Sequence, residues 1–322
     1  MSKSSQHHWL WHLLTVVILA TIAFSFWYAS VSTEYKWDWN NISNYFYYKK
    51  EVVLETAPSD VEVSSIKSHD GKSTIILLDY STDEKTTITV SSGQVKVVEG
   101  QELAEGDAIA SKSSWIVGPF VEGFFTTLWI SIVSGILGMI LGLITGLCRI
   151  SKNPTLRDLS TVYVELTRAL PLLVIIFIVY YVFGAIFNLS HNTAAIISLS
   201  FSAGAYIAEI VRGGIQSISK GQTEAARSLG MGAFTTMWLI IFPQALRRML
   251  PALTGQFISL VKDTSLLSVI SIVEITRAAQ LSITTSLKPF EMWFCAAALY
   301  LLINIPLSIL ARYLEKRLAK SD

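Results

Sequence analysis

Charge is what this chain of 322 residues has least of: only 15 % of its residues are Asp, Glu, Lys or Arg, where soluble domains carry about 25 %. That deficit excludes an ordinary soluble globule. Cysteine is scarce too, at two. Cys148 and Cys295 lie in or beside apolar runs, with no CxxC pair and no zinc spacing, so they read as small apolar fillers and exclude a disulfide framework. Of the five histidines, His7, His8 and His12 cluster near the N-terminus without other candidate ligands, and no metal site is expected. No G-x-x-x-x-G-K-[ST] occurs, which excludes ATP binding through a P-loop. No His, Cys or Ser constellation suggests an enzyme. The formal net charge of +1 gives no reason to expect nucleic-acid binding. It hides an asymmetry: residues 34–112 hold 8 Lys/Arg against 14 Asp/Glu, and residues 113–322 hold 16 against 10.

Long apolar runs, by contrast, are plentiful. Hydrophobic residues make up 52 % of the chain, and about 20 consecutive apolar residues suffice to cross a bilayer as a helix. Six runs qualify: Trp9–Tyr28, Phe120–Leu147, Tyr163–Phe187, Ala194–Val211, Leu250–Val273 and Phe290–Leu310. Lys262 and Asp263 interrupt the fifth. The first reads as an uncleaved anchor, although Ser30-Val31-Ser32 also offers the small residues of a signal-peptide cleavage site. Lys and Arg concentrate in short cytoplasmic loops. Here they collect after the second run (Arg149, Lys152, Arg157), after the fourth (Lys220, Arg227, Arg247, Arg248) and in the tail (Arg312, Lys316, Arg317, Lys320). Both termini are therefore expected in the cytoplasm, and the acidic segment outside it. That segment has short β-branched, alternating stretches at Val61-Glu62-Val63, Ser73–Leu78, Thr86–Val90 and Gln94–Val98, punctuated by Gly71, Gly93, Gly100 and Gly106, which predicts a small β-rich domain. In the second run Ser134, Gly138, Gly142 and Gly146 stand four apart, a small-residue stripe that lets another helix approach closely.

Between the fourth and fifth runs lies a polar stretch with fixed spacing. Glu224-Ala225-Ala226-Arg227-Ser228-Leu229-Gly230 is followed by nine residues and then by Ile240-Ile241-Phe242-Pro243. Helix formers run from Thr223 to Leu229, and Gly230 is a natural stop, so a short cytoplasmic helix and a turn are expected. This stretch resembles the EAA loop of bacterial ABC importer permeases, with Phe242 where that pattern has Leu. The similarity extends from about Val121 to Leu318 and is to the polar amino-acid branch of these permeases (the His/Glu/Gln/Arg/opine importers). It is carried by Glu122–Leu128, Tyr163–Leu173, Gly204–Ile215, Ile258–Leu267 and Phe290–Trp293. Arg168-Ala169-Leu170-Pro171 departs from the branch's Arg-Gly-Thr-Pro, a change that bears on a gate or on nearby helix packing.

The resemblance implies an all-α multi-pass membrane protein of the bacterial inner membrane. Its core would be the five-helix type I ABC importer permease domain (residues 115–318, with a coupling loop at 213–249). The N-terminal membrane helix (1–30) and the extracytoplasmic β-rich domain (31–114) would be additions. Glu224, Ala225, Ala226, Gly230, Ile240 and Pro243 would meet the ATPase. The implied partners are an ATP-binding subunit dimer that holds the ATP and Mg, a second permease chain (identical or a sister), an extracytoplasmic substrate-binding protein, the amino acid itself and the bilayer. The chain itself would carry no cofactor.

Charged groups inside a bilayer are costly and usually functional. Asp263 stands about 13 residues past Leu250, roughly 20 Å along a helix, among Ser259, Thr264 and Ser265. Either it offers a counter-charge to a substrate amino group, or Lys262 or an arginine neutralises it. Glu165 with Arg168, and Glu209 with Arg212, stand three apart and so face each other on a helix. They read either as ion pairs that anchor helix ends or as a gate at the cytoplasmic mouth. A membrane sensor, with the β segment as receptor, is the alternative function; it leaves the Glu224–Pro243 spacing unexplained.

Overall fold

The structure is a computed structural model that describes residues 8–33 and 35–319; His7 of the N-terminal histidine cluster lies outside them. The chain divides into two compact units, residues 1–40 and 41–322.

The first unit is helix α1 (His8–Ser32) and the short aromatic segment after it. Its sequence is apolar on every face, the pattern of a helix that belongs in lipid rather than on a protein surface. After the helix, the Trp37 indole donates to Ser30 Oγ at 2.6 Å, and the Trp37 and Trp39 rings stack at 6.1 Å.

The second unit opens with strands. β1 (Tyr47–Thr56) and β6 (Ala108–Val117) form an antiparallel ribbon. Between them lie β2 (Val61–His69), β3 (Lys72–Asp79), β4 (Lys85–Ser91) and β5 (Glu102–Leu103), which make an antiparallel sheet of order β4-β3-β2-β5. Val61, Val63, Ile75, Leu77, Leu103 and Ile109 fill its core. At the β3–β4 turn Asp79 accepts bonds from the Ser81 amide and hydroxyl, the Thr82 amide and the Ser59 hydroxyl. These donors hold its carboxyl well below the usual range. Three of the four expected strands are present. Gln94–Val98 is not one: the Ser92–Gln94 turn and a single bridge from Val95 to Ala110 replace it.

The ribbon runs directly into the helical bundle through Gly118, whose amide donates to Phe46 O at 2.6 Å. α2 (Pro119–Arg149) follows, then α3 (Pro154–Ala169), α4 (Leu172–Phe177), a π-turn (Ile178–Phe183) and α5 (Gly184–Phe187). α6 (His191–Gln216), the short α7 (Lys220–Ser228) and α8 (Ala233–Thr236), and a second π-turn (Met237–Ile241) lead to α9 (Phe242–Asp263). A 3₁₀ run (Thr264–Ile270), α10 (Ile275–Ser286) and α11 (Pro289–Ala319) complete the bundle.

Four described helices are long and apolar enough to cross a membrane: α1, α2, α6 and α11. Two of the six expected spans differ from their prediction. The Tyr163–Phe187 run is two pieces meeting at 108°, because Pro171 disfavours a helical conformation at Leu170; counted together they make a fifth span. The Leu250–Val273 run is not one helix either. α9 stops at Asp263 and the chain tightens into the 3₁₀ run. The small-residue stripe of α2 does face a helix, α6: Gly138 lies against Ala203, Gly142 against Ile207 and Gly146 against Val211.

Candidate functional site

The polar excursion between α6 and α9 folds as its local sequence dictates. Ser219 caps α7 by accepting from the Gly221 amide at 3.3 Å. At the other end Gly230 takes φ +77°, its amide donates to Arg227 O at 2.9 Å, and the Met231 amide donates to Ala226 O at 3.1 Å. This pair of bonds is the Schellman motif, which ends a helix and reverses the chain. Ala226 is buried, whereas Glu224, Ala225, Gly230 and Pro243 face outward and Ile240 is half-buried. The chain then climbs back through α8 and the π-turn. The loop leaves large apolar side chains in the open, the most exposed being Leu229 at 83 %, Phe234 at 77 % and Leu239 at 66 %. Leu229 ends α7, Phe234 is on α8 and Leu239 on the π-turn; clustered exposed apolar side chains of this kind mark a contact surface.

At the Arg149 end of α2 four charged side chains converge. Arg149 bonds Glu209 of α6 and reaches Glu165 of α3 at 3.4 Å. Glu209 also accepts from Arg212, and Arg212 donates to Gln216 at 2.6 Å. The expected Glu209–Arg212 pair is therefore made. The expected Glu165–Arg168 pair is not: Glu165 turns to Arg149, and the Arg168 guanidinium lies 5.6 Å over the Tyr206 ring. The side chain of Arg149 is only 10 % exposed, so the cluster locks α2, α3 and α6 together.

Asp263 ends α9 half-buried. None of the close ion pairs among the described residues includes it; Lys262, its neighbour in the chain, acts on it through its charge without a direct bond. Ser259 stands one helical turn before Asp263, half-buried like Ser265. Thr264 does not join them; it is fully buried, and its hydroxyl donates to Val261 O at 2.7 Å. A cavity of about 850 Å³ lies elsewhere, inside the bend of α3 and α4, lined by residues such as Leu159, Val162, Leu166, Leu170, Phe183 and Phe187. Its lining is apolar except for Tyr163 and Thr167 and carries no charge to match a zwitterion.

Residues 138–320 match the family described as binding-protein-dependent transport system inner membrane component. The chain belongs to that family. This transport component is similar to the probable glutamine ABC transporter permease protein GlnP of Bacillus subtilis, 44 % identical over 200 residues that cover 61 % of this chain and 92 % of the relative. It is 38 % identical to the glutamine transport system permease protein GlnP of Escherichia coli over 201 residues, 62 % of this chain and 92 % of that one. It is 42 % identical to the L-cystine transport system permease protein TcyB of Bacillus subtilis, over 61 % of this chain and 85 % of that one. Among solved structures it resembles an amino acid ABC transporter crystallised with histidines, with a TM-score of 0.58 and 33 % identity over 62 % of this chain and 94 % of that one. The MetNI methionine ABC transporter shares the fold, with a TM-score of 0.51 and 21 % identity. The family assignment favours one of the two functions open at the start: the chain is a transport subunit of a multi-pass inner-membrane system, and the sensor reading gains no support.

Arg149 is the residue of the permease's ionic cluster that sequence reasoning missed. Its place at the end of an apolar run made it look like a topology marker only. Arg149→Ala removes the cation shared by Glu165 and Glu209. Since Arg149 is nearly buried and its partners are not, the cost falls between that of a buried and a surface pair, about 2 kcal/mol. Thermal unfolding of the purified complex checks this; an unshifted midpoint would remove Arg149 from the scaffold.

Proposed function

We propose that this chain is the permease subunit of an ATP-driven importer of a polar amino acid. The observation that carries this reading is the capped helix α7 with its Gly230 turn, followed by α8, which together present Leu229 and Phe234 on a fold shared with amino-acid permeases. A short capped helix followed by exposed apolar side chains fits a groove on a soluble ATPase, and it transmits movement of that ATPase as a lever does. Glu224 supplies a charge at the docking face, and Ala225, Ala226, Gly230, Ile240 and Pro243 shape the loop. Two ATPase subunits, which hold the ATP and Mg, each need such a helix, so two permease chains assemble, identical or paired with a sister chain. The arginines around the loop orient it toward the cytoplasm, with both termini on that side. The β sheet between α1 and α2 then lies outside, where a substrate-binding protein delivers the amino acid.

Within the membrane, Asp263 is a half-buried carboxylate with no directly bonded cation, and Ser259 and Ser265 stand near it in the chain. It serves as counter-charge to the substrate's amino group. The cluster of Arg149, Glu165, Glu209 and Arg212, with Arg168 beside it, closes the cytoplasmic mouth. The reading is tested in proteoliposomes holding the purified complex, with a panel of amino acids supplied on the binding protein and ATP inside. ATP-dependent uptake of at least one polar amino acid is expected, and uptake of none overturns the proposal. Asp263→Asn removes the counter-charge. A charged hydrogen bond is worth about 1.5–3 kcal/mol, so transport is expected to fall at least about tenfold. Uptake unchanged for every amino acid takes Asp263 out of the pathway.

A further inference from the structure

Glu274 is a fully buried carboxylate that no part of the mechanism above uses. It stands at the turn between the 3₁₀ run and α10, and caps α10. Its Oε1 accepts from the Arg277 amide at 2.7 Å, and its Oε2 from the Thr276 amide and the Tyr300 hydroxyl, both at 2.8 Å. No ion pair among the described residues includes it; the Arg277 guanidinium turns away to Gln280, at 3.2 Å. A buried carboxylate is costly unless its oxygens are fully bonded. Here neutral donors alone satisfy it. Losing one of them leaves charge unmatched in the interior.

The Tyr300 hydroxyl connects more than Glu274. It lies 3.1 Å from Thr276 Oγ1, and the Thr264 hydroxyl is beside it. Thr264 immediately follows Asp263, and Glu274 closes the segment that begins there. One phenol on α11 therefore holds the far end of the stretch from Thr264 to Glu274 and lies beside its start. The far end is also seated on α2. A Cβ on Gly123 would lie 2.8 Å from the Glu274 carbonyl carbon, and the Ile275 amide donates to Thr127 Oγ1 at 3.4 Å. We propose that Glu274 and Tyr300 form a clamp that positions Asp263 for substrate, so that both are positioning residues for transport. The proposal rests on the reading of Asp263 given above. The clamp works because a 3₁₀ run has poorer hydrogen-bond geometry than an α-helix and does not hold its own shape well. Without the clamp the carboxylate at its start loses its fixed direction.

The test uses the complete transporter in proteoliposomes and reads amino-acid uptake and ATP hydrolysis per assembled complex. Wild type is compared with Tyr300→Phe, Glu274→Gln, Asp263→Asn and the Asp263→Asn/Tyr300→Phe double variant. Tyr300→Phe removes one hydroxyl from a charged acceptor and is expected to lower uptake per ATP hydrolysed about tenfold. Glu274→Gln keeps the shape and an acceptor, and is expected to lower the ratio by less. The double variant should be no worse than Asp263→Asn alone. A purely structural role would lower uptake and hydrolysis together. An unchanged ratio in Tyr300→Phe, with both rates normal or both reduced, overturns the clamp while Asp263→Asn still lowers it. A double variant clearly worse than Asp263→Asn also overturns it. If Asp263→Asn leaves the ratio unchanged, the Asp263 reading itself fails and takes the clamp with it.

Discussion

Gly230→Val is expected to cut ATP-driven uptake about tenfold or more while the chain still inserts and assembles. The reason is backbone conformation alone. Gly230 sits at φ +77°, and a Cβ built there meets nothing within 4 Å, so no neighbour has to move. A left-handed conformation costs an L-residue about 1–2 kcal/mol, with β-branched side chains the worst placed. Valine relieves that strain by giving up the bonds from Gly230 to Arg227 and from Met231 to Ala226. The last turn of α7 then unwinds, and Leu229 and Phe234 lose their fixed positions. The turn lies outside the bundle core, so insertion is untouched. Transmission of the ATPase stroke is lost, and 1.36 kcal/mol already amounts to a factor of ten in rate. Asparagine tolerates this backbone region better than most residues, so Gly230→Asn should keep most of the transport. Glu224→Lys, which leaves the turn intact but reverses the docking charge, should uncouple as well. Normal uptake in both Gly230→Val and Glu224→Lys would remove this loop from the coupling path.

That loop was legible because its signals are local: helix formers, a glycine stop and fixed spacing within about 20 residues. Features made by distant partners were not. Spacing of three residues correctly paired Glu209 with Arg212, yet it also paired Glu165 with Arg168. The true partner of Glu165 is Arg149, at the end of a different helix, and nothing in the local pattern points there. The β1–β6 ribbon went unseen for a related reason. Tyr47–Thr56 mixes charged and apolar residues without alternation and is exposed almost throughout, so it lacks the period-two signal of a half-buried strand. Its pairing closes a gap of some 60 residues. Gln94–Val98 shows the opposite error: it has strand composition but bridges only at Val95. Glu274 resembled any loop carboxylate in sequence, and only its complete burial sets it apart. The stripe on α2 lies between these cases. Its periodicity promised a close helix neighbour but could not say which.

The neighbour is α6, and the closeness of that contact sets a second large effect. Gly142→Ala adds one methyl group, which would lie 2.5 Å from Ile207 Cβ and 2.8 Å from Gly204 O. Neither atom can rotate away: one is bonded directly to its backbone and the other is backbone. The helices must part by roughly 1 Å to restore ordinary contact. In lipid no hydrophobic force drives α2 and α6 together, so their association depends on this close packing. Separation at Gly142 also lifts Gly138 off Ala203 and Gly146 off Val211, one turn away on either side. It pulls Arg149 from Glu209 just beyond. Overpacking of this kind costs about 3 kcal/mol, and the expected result is a lower unfolding midpoint and poor recovery of assembled complex. Ile207→Ala should not rescue it, because Ile207 Cβ and Gly204 O both remain. Gly213→Ala is the matched control: the same substitution on α6, where a Cβ meets nothing within 4 Å, should be neutral or slightly stabilising through its better helix propensity. If Gly142→Ala proves as stable as Gly213→Ala, the α2–α6 seam is looser than its geometry requires.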